Sequence, residues 1–328
     1  MNLTESKFIQ DIKELLKSAR NKVYRNINEI MTKTYFEIGK RIVEEEQKGK
    51  SRADYGKALL KNLSTELTKE FGKGFSVANL KNMRQFYLAF KNRQTVSSKF
   101  KLSYSHYIFL SRIKNEDERN FYEIEAIKNN WSLRELKRQF DSALYERLAL
   151  SKDKQKVKEL SQKGQVIENP KDIIKEPYVL EFLGLEEKDY YSESELEQKL
   201  IDKLENFLLE LGRGFTFVAR QKRFTFDEEH FRVDLVFYNR FLRCFVLIDL
   251  KIGKLKHQDL GQMMMYVNYF DRFEKTEDEN PTIGIILCKD KNETLVELTL
   301  PKDSQIFASK YQTVLPDKEE LKKLLETK

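Results

Sequence analysis

Cysteine, histidine and unbroken apolar runs are all scarce in this chain of 328 residues, and each scarcity closes off a class of function. Cys244 and Cys288 are the two cysteines, and both fall inside apolar, strand-like runs. They read as reduced core thiols, consistent with the cytosol. The three histidines, His106, His230 and His257, stand far apart and match no metal-ligand spacing, so a zinc site is not expected. No long apolar run and no secretory N-terminus is present, so membrane insertion and export are not expected and the chain reads as cytoplasmic. There is no P-loop pattern, which removes ATP hydrolysis from the expectations. The single tryptophan, Trp131, reads as a packing residue, as do Met263, Met264 and Met265.

Charge, by contrast, is plentiful and unevenly spread. Residues 1–165 carry 35 Lys and Arg against 21 Asp and Glu, a net of +14, while residues 166–328 carry 25 against 32, a net of −7. A polyanion is the natural partner for the basic half, because neutralising phosphates releases counterions and dominates affinity. A solvated lysine-rich surface typical of an A+T-rich genome gives the same count. The acidic half suits a domain that holds metal and relies on its neighbour for DNA affinity, although an acidic helix surface would also produce it. At 39.1 kDa the chain is long enough for two cores.

The most informative stretch runs from Phe231 to Lys251, where Asp234, Asp249 and Lys251 interrupt two runs that otherwise read as buried strands. A charge among Val, Leu, Ile and Phe is costly unless a metal or partner compensates it. Side chains alternate faces along a strand, so Asp249 and Lys251 share one face and Leu250 takes the other. Residues 239–242 are a length suited to a hairpin between the runs 232–238 and 243–252, which places Asp234 near Asp249. Two carboxylates and an ammonium then converge. Hard oxygen ligands favour Mg2+ or Mn2+, ions that also bind phosphate oxygens, and such a site suits phosphodiester hydrolysis.

Around this motif the periodicity gives an order of elements. Residues 193–211 predict an amphipathic helix, 215–226 a first strand, then the hairpin, a helix over 257–273 and an apolar strand over 282–288. The order is α-β-β-β-α-β.

These residues resemble the Asp...(Asp/Glu)-x-Lys pattern of the PD-(D/E)xK nuclease superfamily, whose restriction-endonuclease-like α/β core has the same order. In that superfamily an acidic residue of the first helix and a polar residue of the second often complete the site, places that Glu197 and Gln262 occupy here. Gln262 is expected one helical turn from Tyr266, with Leu260, Met264, Val267 and Phe270 on the packing face. Longer strings, among them YFEIGKRIVE (35–44), FGKGFSVANLKNMRQFY (71–87), NWSLRELKRQ (130–139) and LLELGRGFTFVARQKRF (208–224), resemble the DUF1016 (YhcG) family. That resemblance implies a mostly α-helical, winged-helix-like DNA-binding domain, over 1–150, joined to a nuclease domain, over 176–328; the lysine-rich stretch 151–175, with Gly164 and Pro170, reads as a helix end followed by a basic linker. Two positions depart from the pattern: Asp249 stands where Glu is common, and Met264 where similar sequences often carry a second Gln.

In the basic half, helical periodicity runs over 8–25, 27–47 and 55–71. Gly72 and Gly74 then permit a turn, and Ser76 can cap a helix whose apolar face carries Leu80, Met83, Phe86, Tyr87 and Phe90. Lys81, Arg84 and Gln85 fall on other faces and are the expected DNA contacts of a helix-turn-helix. A helical hairpin whose basic residues meet only water gives the same pattern. A further helix is expected from Ser132, where S-x-x-E forms a capping box with Glu135, through Leu148.

The combined expectation is a Mg2+-dependent (or Mn2+-dependent) DNA endonuclease. In it Asp234 and Asp249 hold the metal, Lys251 assists the water, Glu197 supports the metal or acts as base, and Gln262 positions the nucleophile. A homodimer is expected from the geometry of cutting two strands, and restriction or recombination proteins are the expected partners. The rival expectations are a DNA-binding or assembly module that no longer cuts, and a nuclease acting on RNA.

Overall fold

The structure, a computed structural model, describes residues 3–48, 53–92, 100–150, 154–185, 191–226, 228–301 and 303–327. It forms two compact units that divide between Lys137 and Arg138.

The first unit is helical, with no strand among its described residues. Its elements are α1 (Leu3–Lys48), α2 (Ala53–Phe71), α3 (Val77–Phe90), α4 (Tyr104–Leu110), α5 (Glu116–Lys128) and the start of α6 (Leu133–Asp141). The two helices expected over 8–25 and 27–47 are one, because Asn26 interrupts the apolar pattern with a polar residue but does not break a helix. After α2 the chain turns at Gly72, whose φ of 88° lies in the left-handed region that glycine tolerates. Ser76 then caps α3, its Oγ accepting from Asn79 N at 3.3 Å. Leu80, Met83, Phe86 and Phe90 are buried as the spacing required. Phe86 lies within 5.3 Å of the rings of Phe36, Phe100 and Tyr107, centroid to centroid, and Trp131 is buried.

The close crossing of α1 and α3 depends on Gly39. A Cβ there would run into the main-chain carbonyl of Met83, which no rotamer change can move aside. Gly39→Ala should therefore cost the first unit about 1–3 kcal/mol of stability, seen as a lower urea midpoint with an unchanged slope.

The second unit begins with the end of α6. The helix expected to run on to Leu148 breaks at Ala143, whose φ is 53°, before α7 (Leu144–Leu150). Then follow α8 (Lys154–Lys163), β1 (Tyr178–Val179), α9 (Glu193–Asp202), α10 (Leu204–Leu211), β2 (Phe215–Phe226), β3 (Glu229–Asn239), β4 (Cys244–Lys254), α11 (His257–Tyr269), β5 (Ile283–Asp290), α12 (Glu293–Thr299), β6 (Ile306–Gln312) and α13 (Lys318–Thr327). The six strands make one mixed sheet in the order β1-β6-β5-β4-β3-β2. β2, β3 and β4 are antiparallel neighbours, and β4, β5, β6 and β1 run parallel. One face carries Leu235, Phe237, Val246, Ile248 and Leu250 against α9 and α10, and the other carries Val236, Leu247 and Ile286 against α11.

Segment 151–175 is not the linker that its lysines suggested. Where described, it packs into the second unit: Leu160, Ser161, Ile173 and Lys175 are buried, whereas Lys158 and Lys163 face solvent. The basic composition belongs to the outer side of a packed helix. The α-β-β-β-α-β order holds, with the first helix interrupted at Lys203 and the last continued by one π-turn, Phe270–Glu274.

Candidate active site

The register of the β3–β4 hairpin sets the first two site residues. Leu235 pairs with Ile248, so one further step along the ladder brings Asp234 opposite Asp249. Ile248 and Leu250 anchor that end of β4 in the core at 0 % exposure, and the alternation turns Asp249 and Lys251 the other way. Asp249 is itself only 3 % exposed. Lys251 Nζ lies 2.8 Å from its Oδ2 and 3.8 Å from Glu193 Oε2 on α9. The ammonium is therefore the partner of this buried oxygen. Asp234 is held by the backbone, its Oδ2 accepting from Leu250 N at 2.9 Å.

The electrostatics follow from that packing. Burial, and then the neighbouring charge of Asp234, push the Asp249 carboxyl up to about 7 against the pull of Lys251. Burial disfavours the Lys251 ammonium, yet the Asp249 carboxylate outweighs it and holds the amine at about 12, so Lys251 remains a cation. Tyr266 is raised to about 12 by burial and by both aspartates.

Glu197, 4 % exposed on α9, is held by two donors from β2: Arg220 Nε at 2.6 Å and Gln221 Nε2 at 2.6 Å. The same Gln221 nitrogen also reaches Asp234 Oδ1 at 3.0 Å, so one amide ties the helix carboxylate to the strand carboxylate. Gln221 does this from a φ of 49°, a left-handed conformation that is costly for a residue other than glycine and is found where surroundings over-determine it. Neither Arg220 nor Gln221 was named from the sequence. Both lie in the string FVARQKRF, where a polar pair interrupts a strand pattern, but the left-handed turn that aims Gln221 leaves no mark in residue type.

Gln262 and Tyr266 share a face of α11 as the spacing required, with Gln262 Nε2 donating to the Tyr266 hydroxyl at 2.6 Å. The packing face differs in one place. Met263 is buried and Met264 only partly so, because the stripe that meets the sheet runs through Leu260, Met263, Val267 and Phe270.

The donor set is compatible with a divalent cation. Two carboxylates facing each other across a ladder, one of them buried, repel each other, and a divalent cation would relieve that repulsion. Among the described residues no group of three or more His, Cys, Asp or Glu side chains is placed to hold a metal. Both cysteines are buried and free, and burial pushes their thiols up to about 12 at Cys244 and about 11 at Cys288, so they are not nucleophiles. No described helix is long and apolar enough to cross a membrane.

The three residues expected to touch DNA behave differently from one another. Lys81 is exposed on α3. Arg84 Nε is paired with Glu46 Oε2 of α1 at 2.5 Å, and Gln85 Nε2 donates to the Ser111 carbonyl at 3.0 Å.

Comparison with known proteins gives two family matches: a YhcG PDDEXK nuclease domain over residues 171–326 and a DUF1016 N-terminal domain over residues 11–147. The chain is 42 % identical to "Putative nuclease YhcG" of Escherichia coli (strain K12) over 338 aligned positions, spanning 94 % of this chain and 90 % of that protein. Among solved structures, a repair endonuclease from Pyrococcus abyssi matches 39 % of this chain and 50 % of its own at 18 % identity, with a TM-score of 0.27. An EndoMS–dsDNA complex matches 40 % and 50 % at 16 % identity, also with a TM-score of 0.27. Scores this low carry no weight for this chain. The identity over nearly the full length does, and with the two family matches it shows that the chain belongs to the YhcG family, a DUF1016 N-terminal domain joined to a PDDEXK nuclease domain.

Proposed function

We propose that the protein is a Mg2+-dependent DNA endonuclease that hydrolyses phosphodiester bonds in the cytoplasm. The observation that carries this reading is Asp249, a carboxylate only 3 % exposed, facing Asp234 and paired with Lys251. Asp234 and Asp249 would hold Mg2+ or Mn2+. When bound, the ion supplies charge stabilisation at the scissile phosphate and a water of lowered pKa.

The remaining chemistry belongs to the protein. Lys251, a cation at neutral pH, would offset the negative charge that develops on the phosphate. Glu197 is committed to Arg220 and Gln221, which favours a supporting role over that of a free base. Gln262, anchored on Tyr266, would orient the attacking water.

The N-terminal unit is assigned the DNA. Its support is the basic first half and the capped turn between α2 and α3, read as a helix-turn-helix of winged-helix type. Lys81 is the contact ready for a phosphate, since Arg84 and Gln85 would first have to leave Glu46 and Ser111. Restriction, recombination and defence against mobile elements are the processes this combination fits.

The test is a cleavage screen over linear, supercoiled, forked and four-way-junction DNA, with RNA in parallel, in Mg2+, Mn2+ or chelator. Cutting of at least one DNA form that stops on chelation is expected. Salt-sensitive DNA binding without cutting of any substrate would instead favour a non-cleaving assembly module, and cutting confined to RNA would replace the substrate.

A further inference from the structure

Among the described residues, the first part of α1 is not covered by packing. Every described side chain from Phe8 to Asn28 is exposed, whereas the same helix is buried further on at Thr32, Phe36, Ile42 and Val43. The exposed part is far from uniformly polar. Ile9, Ile12, Leu16, Ala19, Val23 and Ile30 recur at alternating steps of three and four, with Asn26 in the one remaining seam position. That is a heptad period, and it defines a single straight seam along the helix. Phe8 and Leu15 widen it, at 65 % and 67 % exposure.

We infer that this seam binds the same seam of a second copy of the chain, so that the protein is a dimer joined through α1. Three observations select that occupant. A heptad seam is self-complementary, and an isologous pairing about a two-fold axis closes without leaving a further surface exposed. Ile9, Val23 and Ile30 place β-branched residues at three of four a positions, which suits a two-stranded pairing, while Ala19 lets the backbones approach and the polar Asn26 disfavours slipped pairings that would set it against an apolar side chain. Ten large apolar side chains between Phe8 and Met31 are at least 36 % exposed, and their combined area is of the order of the roughly 800 Å2 per partner that a stable interface covers.

Sedimentation equilibrium of the full chain over a dilution series reaching tens of micromolar is the test. The expected mass is twice 39.1 kDa. Leu16→Glu and Val23→Glu, each placing a charge in the seam, should weaken self-association by about 50-fold each, while thermal unfolding of the sheet-containing unit stays unchanged. Leu16→Met, which keeps the seam apolar, should retain the dimer. A strict monomer over the whole range overturns the inference, and so does an oligomer whose mass neither Glu variant changes. A monomer whose first thirty residues resist proteolysis would assign the seam to another part of the same chain, and that too overturns it.

Discussion

Lys251→Ala is expected to lower Mg2+-dependent cleavage by up to about 10^3-fold while leaving DNA affinity within a factor of two. The reason lies in what the amine holds apart. Lys251 is the cation paired with Asp249, and Asp249 sits buried beside the like charge of Asp234. Without the ammonium, the developing charge on the phosphate loses its protein-borne compensation, and Asp249 loses the partner that favours its ionised form. Both effects act on the reaction and neither touches the N-terminal unit. Steady-state cleavage and equilibrium binding on the same DNA separate them. Full cutting by the variant would remove Lys251 from the mechanism, and equal losses in binding and cutting would show a structural defect. Lys251→Arg should rescue only weakly, because a planar guanidinium cannot replace a compact ammonium in a pocket where the side chain is 17 % exposed.

The second large effect is on stability, at a cluster unrelated to the chemistry. Glu210 of α10 is fully buried, with Oε1 2.6 Å from Arg147 Nη1 and accepting from Val179 N at 3.0 Å. Arg147, equally buried, also donates to the Ser142 and Pro177 carbonyls at 2.8 and 3.0 Å, and Lys175 donates to the Glu210 carbonyl. Every member is satisfied by the others, so deleting one strands a buried charge. Glu210→Ala or Arg147→Ala should cost about 3–5 kcal/mol, lowering the midpoint of the second unit's thermal transition by about 10 °C.

The same cluster sets an acid limit. Burial would raise the Glu210 carboxyl, but Arg147 and Lys175 bring it down to about 2, below its ordinary value of 4.5. A group whose folded pKa lies below its unfolded one stabilises fully above the unfolded value and loses that contribution as pH falls towards the folded one. Stability should therefore drop between about pH 4.5 and 2, and Glu210→Gln should flatten that drop at the expense of stability at neutral pH. Urea midpoints measured across this range check the sign.

Much of the fold and of the site was legible from residue order because the signals were local. The strand pattern of Arg232–Tyr238 and the short 239–242 connection sufficed to bring Asp234 beside Asp249, since a hairpin's register follows from its turn. The capped helix after Gly72 and the Gln262–Tyr266 pair followed equally from spacing. What escaped depended on contacts distant in sequence. Nothing local shows that Arg84 is drawn away to Glu46, 38 residues earlier, or that the lysine-rich stretch around Lys158 is one side of a packed helix. Gln221 escaped for a different reason, as its role comes from a left-handed backbone angle that residue type does not encode.

The amino-acid order by itself determined the two-part division of charge, the α-β-β-β-α-β succession and the meeting of Asp234 with Asp249 across the β3–β4 hairpin, because alternation and turn length act over a few residues; the strands run on past these residues, so they lie mid-strand and not at a strand end. Only the tertiary structure decided where the units divide, that Gln221 links Glu197 to Asp234, and that Arg147 neutralises Glu210. Those depend on which distant side chains share a low-dielectric interior, where a charge must find its partner wherever the chain has folded to supply one.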